Sequence, residues 1–155
     1  MKPFITNLWF DNQAEEAAKF YTTVFKDGEI LHTMYYPTDT PSHKEVGSVL
    51  TVGFTVNGQE FLALNGGPLF TFTEAISFII TCDTQEEIDY YWEKLSAVPE
   101  SEQCGWLKDK FGVSWQVVPK QLSALLSGPH AKEIMEKFLP MKKLIIAELE
   151  QAAHE

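Results

Sequence analysis

The chain has 155 residues, of which 45% are hydrophobic and 13% aromatic. That content excludes disorder and suits one compact domain with a real core, or two small fused modules sharing one. A formal net charge of −10 sets aside nucleic acid and anionic membrane as partners, and tolerates a cationic ligand without requiring one.

Residues 4–10, FITNLWF, alternate as a strand. A helix is expected over 13–25, with Asn12 as N-cap and Glu15 and Glu16 in the first turn, where the helix dipole favours them. Gly28 breaks it. A strand is expected over 29–36, then a polar, mobile loop over 37–44 with two prolines. A longer strand over 46–56 runs into Asn57-Gly58, the strongest short hairpin signal, and 59–65 is the return strand. Gly66-Gly67-Pro68 breaks the pattern before another strand over 76–83. The segment 84–95 is a helix with Thr84 as N-cap and Glu87 three residues on, a capping box.

The stretch CGWLKDKFGVSWQVVP, 104–119, reads as two short strands joined by a tight hairpin, with Trp106 and Trp115 on the facing strands and Lys108 and Asp109 as a surface pair at the turn. Helical segments follow near 120–127 and 129–138. A last helix over 141–153 carries Met141, Leu144, Ile145, Leu149 and Ala152 on one side.

An internal repeat underlies this order. ITNLWFDNQAEEAAKFY and ISFIITCDTQEEIDYYW share a strand, an Asp, a Gln with Glu-Glu, and a helix ending in two aromatics, about 71 residues apart. The expected organisation is a single α+β domain, 1–155: a first module over 1–68, a second, shortened by a strand, over 69–119, and a helical extension over 120–155.

No apolar run approaches the roughly 20 residues that span a bilayer. Met1-Lys2-Pro3-Phe4 leads straight into a strand, without the apolar core or cleavage site of a signal peptide, so a cytoplasmic location is expected. Cys82 and Cys104 make no disulfide framework or zinc motif and are expected to be buried reduced thiols. No glycine-rich phosphate loop, S-adenosylmethionine motif or Ser-His-Asp arrangement is present. Asp11 and Asp83 each end a strand ahead of a helix and read as caps.

LWFDNQAEEAAKFY, LNGGPLF, CDTQEEIDYYWEKL, CGWLKDKFGVSWQVVP and MKKLIIAELEQA together resemble the vicinal oxygen chelate (glyoxalase/bleomycin-resistance) superfamily. More specifically they resemble its PhnB-like branch, often labelled 3-demethylubiquinone-9 3-methyltransferase-like. The resemblance implies tandem βαβββ-type modules forming a cupped mixed sheet, here with extra C-terminal helices, and commonly a homodimer. It also implies a divalent metal held by one His or Glu from each of four strands. Carried across, those positions fall at Thr6, at Asn65, at Ala75 or Ser77, and at Gln116. None is an imidazole, thiolate or carboxylate, the donors that zinc, nickel or iron want. Of His32, His43, His130 and His154, only His32 lies in an expected strand; Glu74 is the one carboxylate near a ligand position. No metal and no other cofactor is therefore expected.

By strand alternation Thr6, Leu8 and Phe10 share one face, and Ser114 and Gln116 another. The inner wall is then either a small-molecule pocket or a plug in which Ser114 and Gln116 bond neighbouring backbone. Gly66 and Gly67 beside Phe70 and Phe72 form either a lid or the crossover between modules. Trp106 and Trp115 serve core, dimer interface or ligand platform. The expected ligand-binding set is Thr6, Leu8, Asn65, Phe70, Phe72, Ser77, Trp106, Ser114 and Gln116. The function expected first is metal-free binding of a small organic molecule, aromatic or cationic. The alternatives are an enzyme on a small organic substrate, with an atypical metal or none, and an interaction protein with a plugged cup.

Overall fold

The computed structural model describes residues 1–41 and 44–154; positions 42 and 43 of the polar loop, His43 included, and residue 155 lie outside the described residues. The chain divides into two compact units, Met1–Phe72 and Thr73–Glu155. Each is a mixed α+β unit of its own.

In the first unit the elements run β1 (Thr6–Phe10), α1 (Ala14–Val24), β2 (Glu29–Tyr35), β3 (Val49–Val56) and β4 (Gln59–Asn65). The sheet order is β1-β4-β3-β2, with β1 parallel to β4 and the rest antiparallel. Asn57 and Gly58, both at positive φ (50° and 76°), turn the β3–β4 hairpin. The buried side of α1 (Ala14, Ala17, Ala18, Tyr21, Val24) lies on one sheet face. There Tyr21 stacks on Phe54, and Phe54 on Phe61, with ring centroids 6.0 and 5.3 Å apart. The register carries that face across the sheet: Phe54 pairs with Phe61, Phe61 with Thr6, Ala63 with Leu8 and Asn65 with Phe10.

The second unit repeats the plan with β5 (Ser77–Cys82), α2 (Gln85–Leu95), β6 (Trp106–Lys108) and β7 (Ser114–Pro119), in sheet order β5-β7-β6. It is one strand shorter than the first, as the repeat implies. Thr84 caps α2 by accepting from the Glu87 backbone N–H at 3.2 Å. The reciprocal arm differs from the standard box: the Glu87 carboxylate accepts from Asp83 N rather than from Thr84 N. Cys82, Leu107, Trp115 and Val117 share the buried face, with Ile88 and Leu95 the buried residues of α2. Burial first, then the charges of Glu87 and Asp83, pushes the Cys82 thiol up to about 12. Cys104, expected to be buried, is only half-buried; its φ of 39° opens the turn into β6.

Three local expectations are corrected. Asn12 does not cap α1: Gln13 is the N-cap residue and makes no side-chain bond, while the Ala14 N–H is satisfied by the Asn65 side chain, 51 residues away. Asp109 is not a surface residue. It is 1% exposed, and its Oδ1 accepts from the Phe111 and Val113 backbone N–H groups while Oδ2 accepts from the Trp115 indole. The last helix is shorter than the apolar pattern implies. After α3 (Leu122–Ser127) and α4 (Ala131–Phe138), α5 spans only Ile146–Ala152. The carbonyls of Met141 and Lys142 are taken by Cys104 N and Gly105 N, and that of Leu144 by the Gln85 side chain, so 141–145 cannot close helical turns. Gln85 Oε1 then accepts from Ile146 N at 2.8 Å and starts the helix there. Leu144 and Leu149 still pack with Ile134 and Ala152, because an extended approach delivers Leu144 to the same cluster.

Replacing Asp109 with Asn puts an amide N–H₂ against at least one of the three N–H donors. It should cost about 3 kcal/mol in chemical denaturation; a change within error would show that the hairpin does not need the carboxylate. The Cys82 thiol gives a second test. Its folded value is raised above the ordinary 9.0. Its contribution to stability is therefore complete below pH about 9 and lost as pH rises toward about 12. The difference in stability between wild type and Cys82→Ala should shrink across that window and stay flat below it.

Candidate functional site

The β1 edge of the first sheet builds a cavity. Trp9 follows Leu8 and so emerges on the face opposite α1. Its indole N–H donates to the Gly67 carbonyl at 2.9 Å, and its benzo ring lies against Gly66, where an added Cβ would sit 2.4 Å from the ring. Gly66 is needed for that close approach. Gly66 N and Gly67 N bond the carbonyls of Phe10 and Asp11, so the loop prolongs the β1–β4 ladder. Phe70 then meets Trp9 edge-on at 4.9 Å, and Phe72 meets Phe10 edge-on at 5.3 Å. Trp9, Pro41, Gly66, Pro68 and Leu69 line a cavity of about 610 Å³. Its wall is apolar apart from backbone. Lys44, nearby in sequence to Pro41, donates to the Asp11 carbonyl at 2.6 Å and ties the polar loop to the end of β1.

The expected site residues divide by face. Leu8 and Asn65 lie on the face packed against α1, 5% and 7% exposed. Asn65 Oδ1 accepts from Ala14 N, its Nδ2 donates to the Val49 carbonyl, and its own carbonyl accepts from the Tyr36 hydroxyl. Thr6 lies on the same face, half-buried, and its hydroxyl accepts from Gln59 at 2.9 Å. The face holding Thr6, Leu8 and Phe10 is thus the helix-packed face and not an open wall. A slip of one residue in parity separates Leu8 from Trp9.

In the second unit the expected residues do gather. The register sets Lys108 beside Ser114 and Ser114 beside Ser77, and in the next row Trp106 beside Gln116 and Gln116 beside Ile79. All emerge on the face opposite the one that carries Trp115 and Leu107. The Gln116 amide donates to the Ser77 hydroxyl at 3.0 Å. The Ser114 hydroxyl is buried without a hydrogen-bond partner. Trp106 and Trp115 are therefore on opposite faces; Trp115 packs on Phe78 at 5.3 Å. Lys108 pairs with Glu74, whose carboxyl is held below its ordinary range by that bond.

The four positions carried over for a metal do not fit one. Thr6 and Asn65 spend their side-chain oxygens on partners inside the chain, the Ser77 hydroxyl accepts from the Gln116 amide N–H, and none of the four offers an imidazole, thiolate or carboxylate. Among the described residues no group of three or more His, Cys, Asp or Glu is placed to hold a metal ion. Among them, too, no helix is long and apolar enough to cross a membrane.

Strand–helix–hairpin units of this kind, with these motifs, mark the chain as PhnB-like. The family profile described as 3-demethylubiquinone-9 3-methyltransferase matches residues 2–118, and the chain belongs to that family. Among solved structures it is similar to a 3-demethylubiquinone-9 3-methyltransferase-type PhnB protein from Bacillus cereus: 39% identity over 76% of this chain and 99% of that one, TM-score 0.62. It is also similar to a protein from Staphylococcus aureus (31% identity, 76% of this chain and 97% of that one, TM-score 0.34). Protein PA1353 from Pseudomonas aeruginosa, at 18% identity over 77% of this chain and 98% of that one with a TM-score of 0.57, shares the fold. No functionally curated protein matches the chain.

Trp9, Pro41, Pro68 and Leu69 were not expected in a site. LNGGPLF carried part of the signal; Pro41, far away in sequence, carried none. Elemental analysis of protein incubated with zinc, nickel and manganese should find no stoichiometric transition metal; a bound equivalent would overturn the assignment of Thr6, Asn65, Ser77 and Gln116 as non-ligands.

Proposed function

We propose that this protein binds a small, flat, apolar or aromatic organic molecule in the Trp9 cavity, without a metal. One observation carries the proposal: about 610 Å³ of hollow with an apolar lining of Trp9, Pro41, Gly66, Pro68 and Leu69. That volume is within the range of small-molecule sites, which are mostly apolar with a few polar groups to orient the ligand. The indole is fixed by its bond to Gly67 and braced by Phe70, so its face is presented without rearrangement. A ring stacked there gains offset or edge contacts, and a cationic ring gains attraction from the indole face as well. The net charge of −10 favours a cation over an anion at long range. Binding and sequestration need only the cavity.

A panel of neutral and cationic aromatic compounds, screened by thermal shift and tryptophan fluorescence with chelator present, should yield a binder. Gly66→Ala pushes a methyl into the Trp9 ring, and Trp9→Leu removes the platform; each should weaken that binder by about tenfold or more with the fold retained. Binding that vanishes on adding chelator, or that both variants leave unchanged, would overturn the proposal.

A further inference from the structure

The second unit has a polar cluster that the Trp9 cavity does not use. On one face of the three-stranded sheet Lys108, Ser114 and Ser77 lie side by side in neighbouring strands, with Trp106 and Gln116 in the next row. Neighbouring side chains on one sheet face are about 5 Å apart, close enough for one small group to reach several of them. The Ser114 hydroxyl is 1% exposed and has no hydrogen-bond partner. An unmade bond of that kind is costly, and in a native fold it calls for an explanation. Beside it the Lys108 ammonium, with its side chain 24% exposed, is met by the Glu74 carboxylate, whose side chain is 60% exposed. Glu74 sits in the segment just before β5, outside any strand or helix, whereas Lys108 is held in β6. The anion is the more exposed half of the pair and the cation the more covered half.

We propose that this face is a binding site for the anionic head of a small organic acid, in which the ligand's oxyanion replaces the Glu74 carboxylate on Lys108 and accepts from the Ser114 hydroxyl. Glu74 is then an internal stand-in that holds the site closed to weak anions. Gln116, held by its bond to Ser77, and Trp106 flank the position that the rest of the acid would occupy. Carboxylates and phosphate-type groups share the required chemistry: oxygens that take a charge-assisted bond from an ammonium and a second from a hydroxyl. The proposal uses no residue of the first unit and stands independently of the Trp9 cavity.

The test is an NMR titration of the intact chain with acetate, benzoate and inorganic phosphate, read at the Trp106 indole and the Gln116 side-chain amide. A carboxylate preference and a phosphate preference separate the two sources of the oxyanion. Glu74→Gln removes the competing charge, and one of these probes should then bind at least about tenfold more tightly than to wild type. Ser114→Ala in the Glu74→Gln background should lose about tenfold, one bond to a charged acceptor, while its melting temperature stays the same or rises, since the hydroxyl has no partner to lose. Lys108→Met should abolish the response. If Glu74→Gln and wild type respond alike, if Ser114→Ala binds as well as its parent, or if no probe gives a saturable shift at these two reporters, the proposal is wrong.

Discussion

Asn65 holds the first unit together. Its side-chain oxygen closes the start of α1, its amide N–H₂ takes a carbonyl of β3, and its backbone carbonyl takes the Tyr36 hydroxyl. It also sits opposite Phe10 in the parallel β1–β4 pairing. One residue therefore joins a helix terminus, two strands and the segment that follows β2. Each of these groups is buried or half-buried, where an unmade bond would cost more than a made one contributes. Because Asn65 faces α1, the alternation along β1 is decided: Leu8 and Phe10 turn inward and Trp9 turns out. The cavity beside Trp9 is a consequence of that parity.

Internal bonding of the same kind engages the four positions that the resemblance assigns to a metal. A residue at a ligand position must offer a free lone pair to the ion. Here the Asn65 side-chain oxygen accepts from the backbone, the Thr6 hydroxyl accepts from Gln59, and the Ser77 hydroxyl accepts from the Gln116 amide. These positions have become part of the internal hydrogen-bond network of their units. Beside that network the first unit carries an aromatic platform at Trp9, and the second sheet a lysine, a serine and an amide on one face.

The two hairpins show two ways of making a tight turn. Asn57-Gly58 uses backbone conformations that only a few residue types adopt easily, and it was legible as a dipeptide. The turn at 109–112 uses a buried carboxylate as a hub for three N–H donors. In the sequence Asp109 between two lysines looks like a solvated charge. Only the fold reveals that Phe111, Val113 and Trp115 converge on it.

Local physics was readable from the residues alone. The strands β1 to β7, the Thr84 cap, the Asn57-Gly58 hairpin and the tandem plan with a shortened second copy follow from alternation, helical spacing and turn chemistry, each of which acts over a few residues. That Ser114 and Gln116 share a face was legible too, since alternation along one strand fixes it; that Ser77 and Trp106 join them needed the pairing of β5, β7 and β6. The rest needed contacts between distant parts of the chain. Nothing local shows that Asn65 rather than Asn12 satisfies the start of α1, that Cys104 and Gly105 take the carbonyls that would have extended α5 back to 141, or that Pro41 lines a cavity with Trp9. In each case a donor or surface finds its partner tens of residues away. A sequence states that such a group must be satisfied, and only the tertiary structure decides by what.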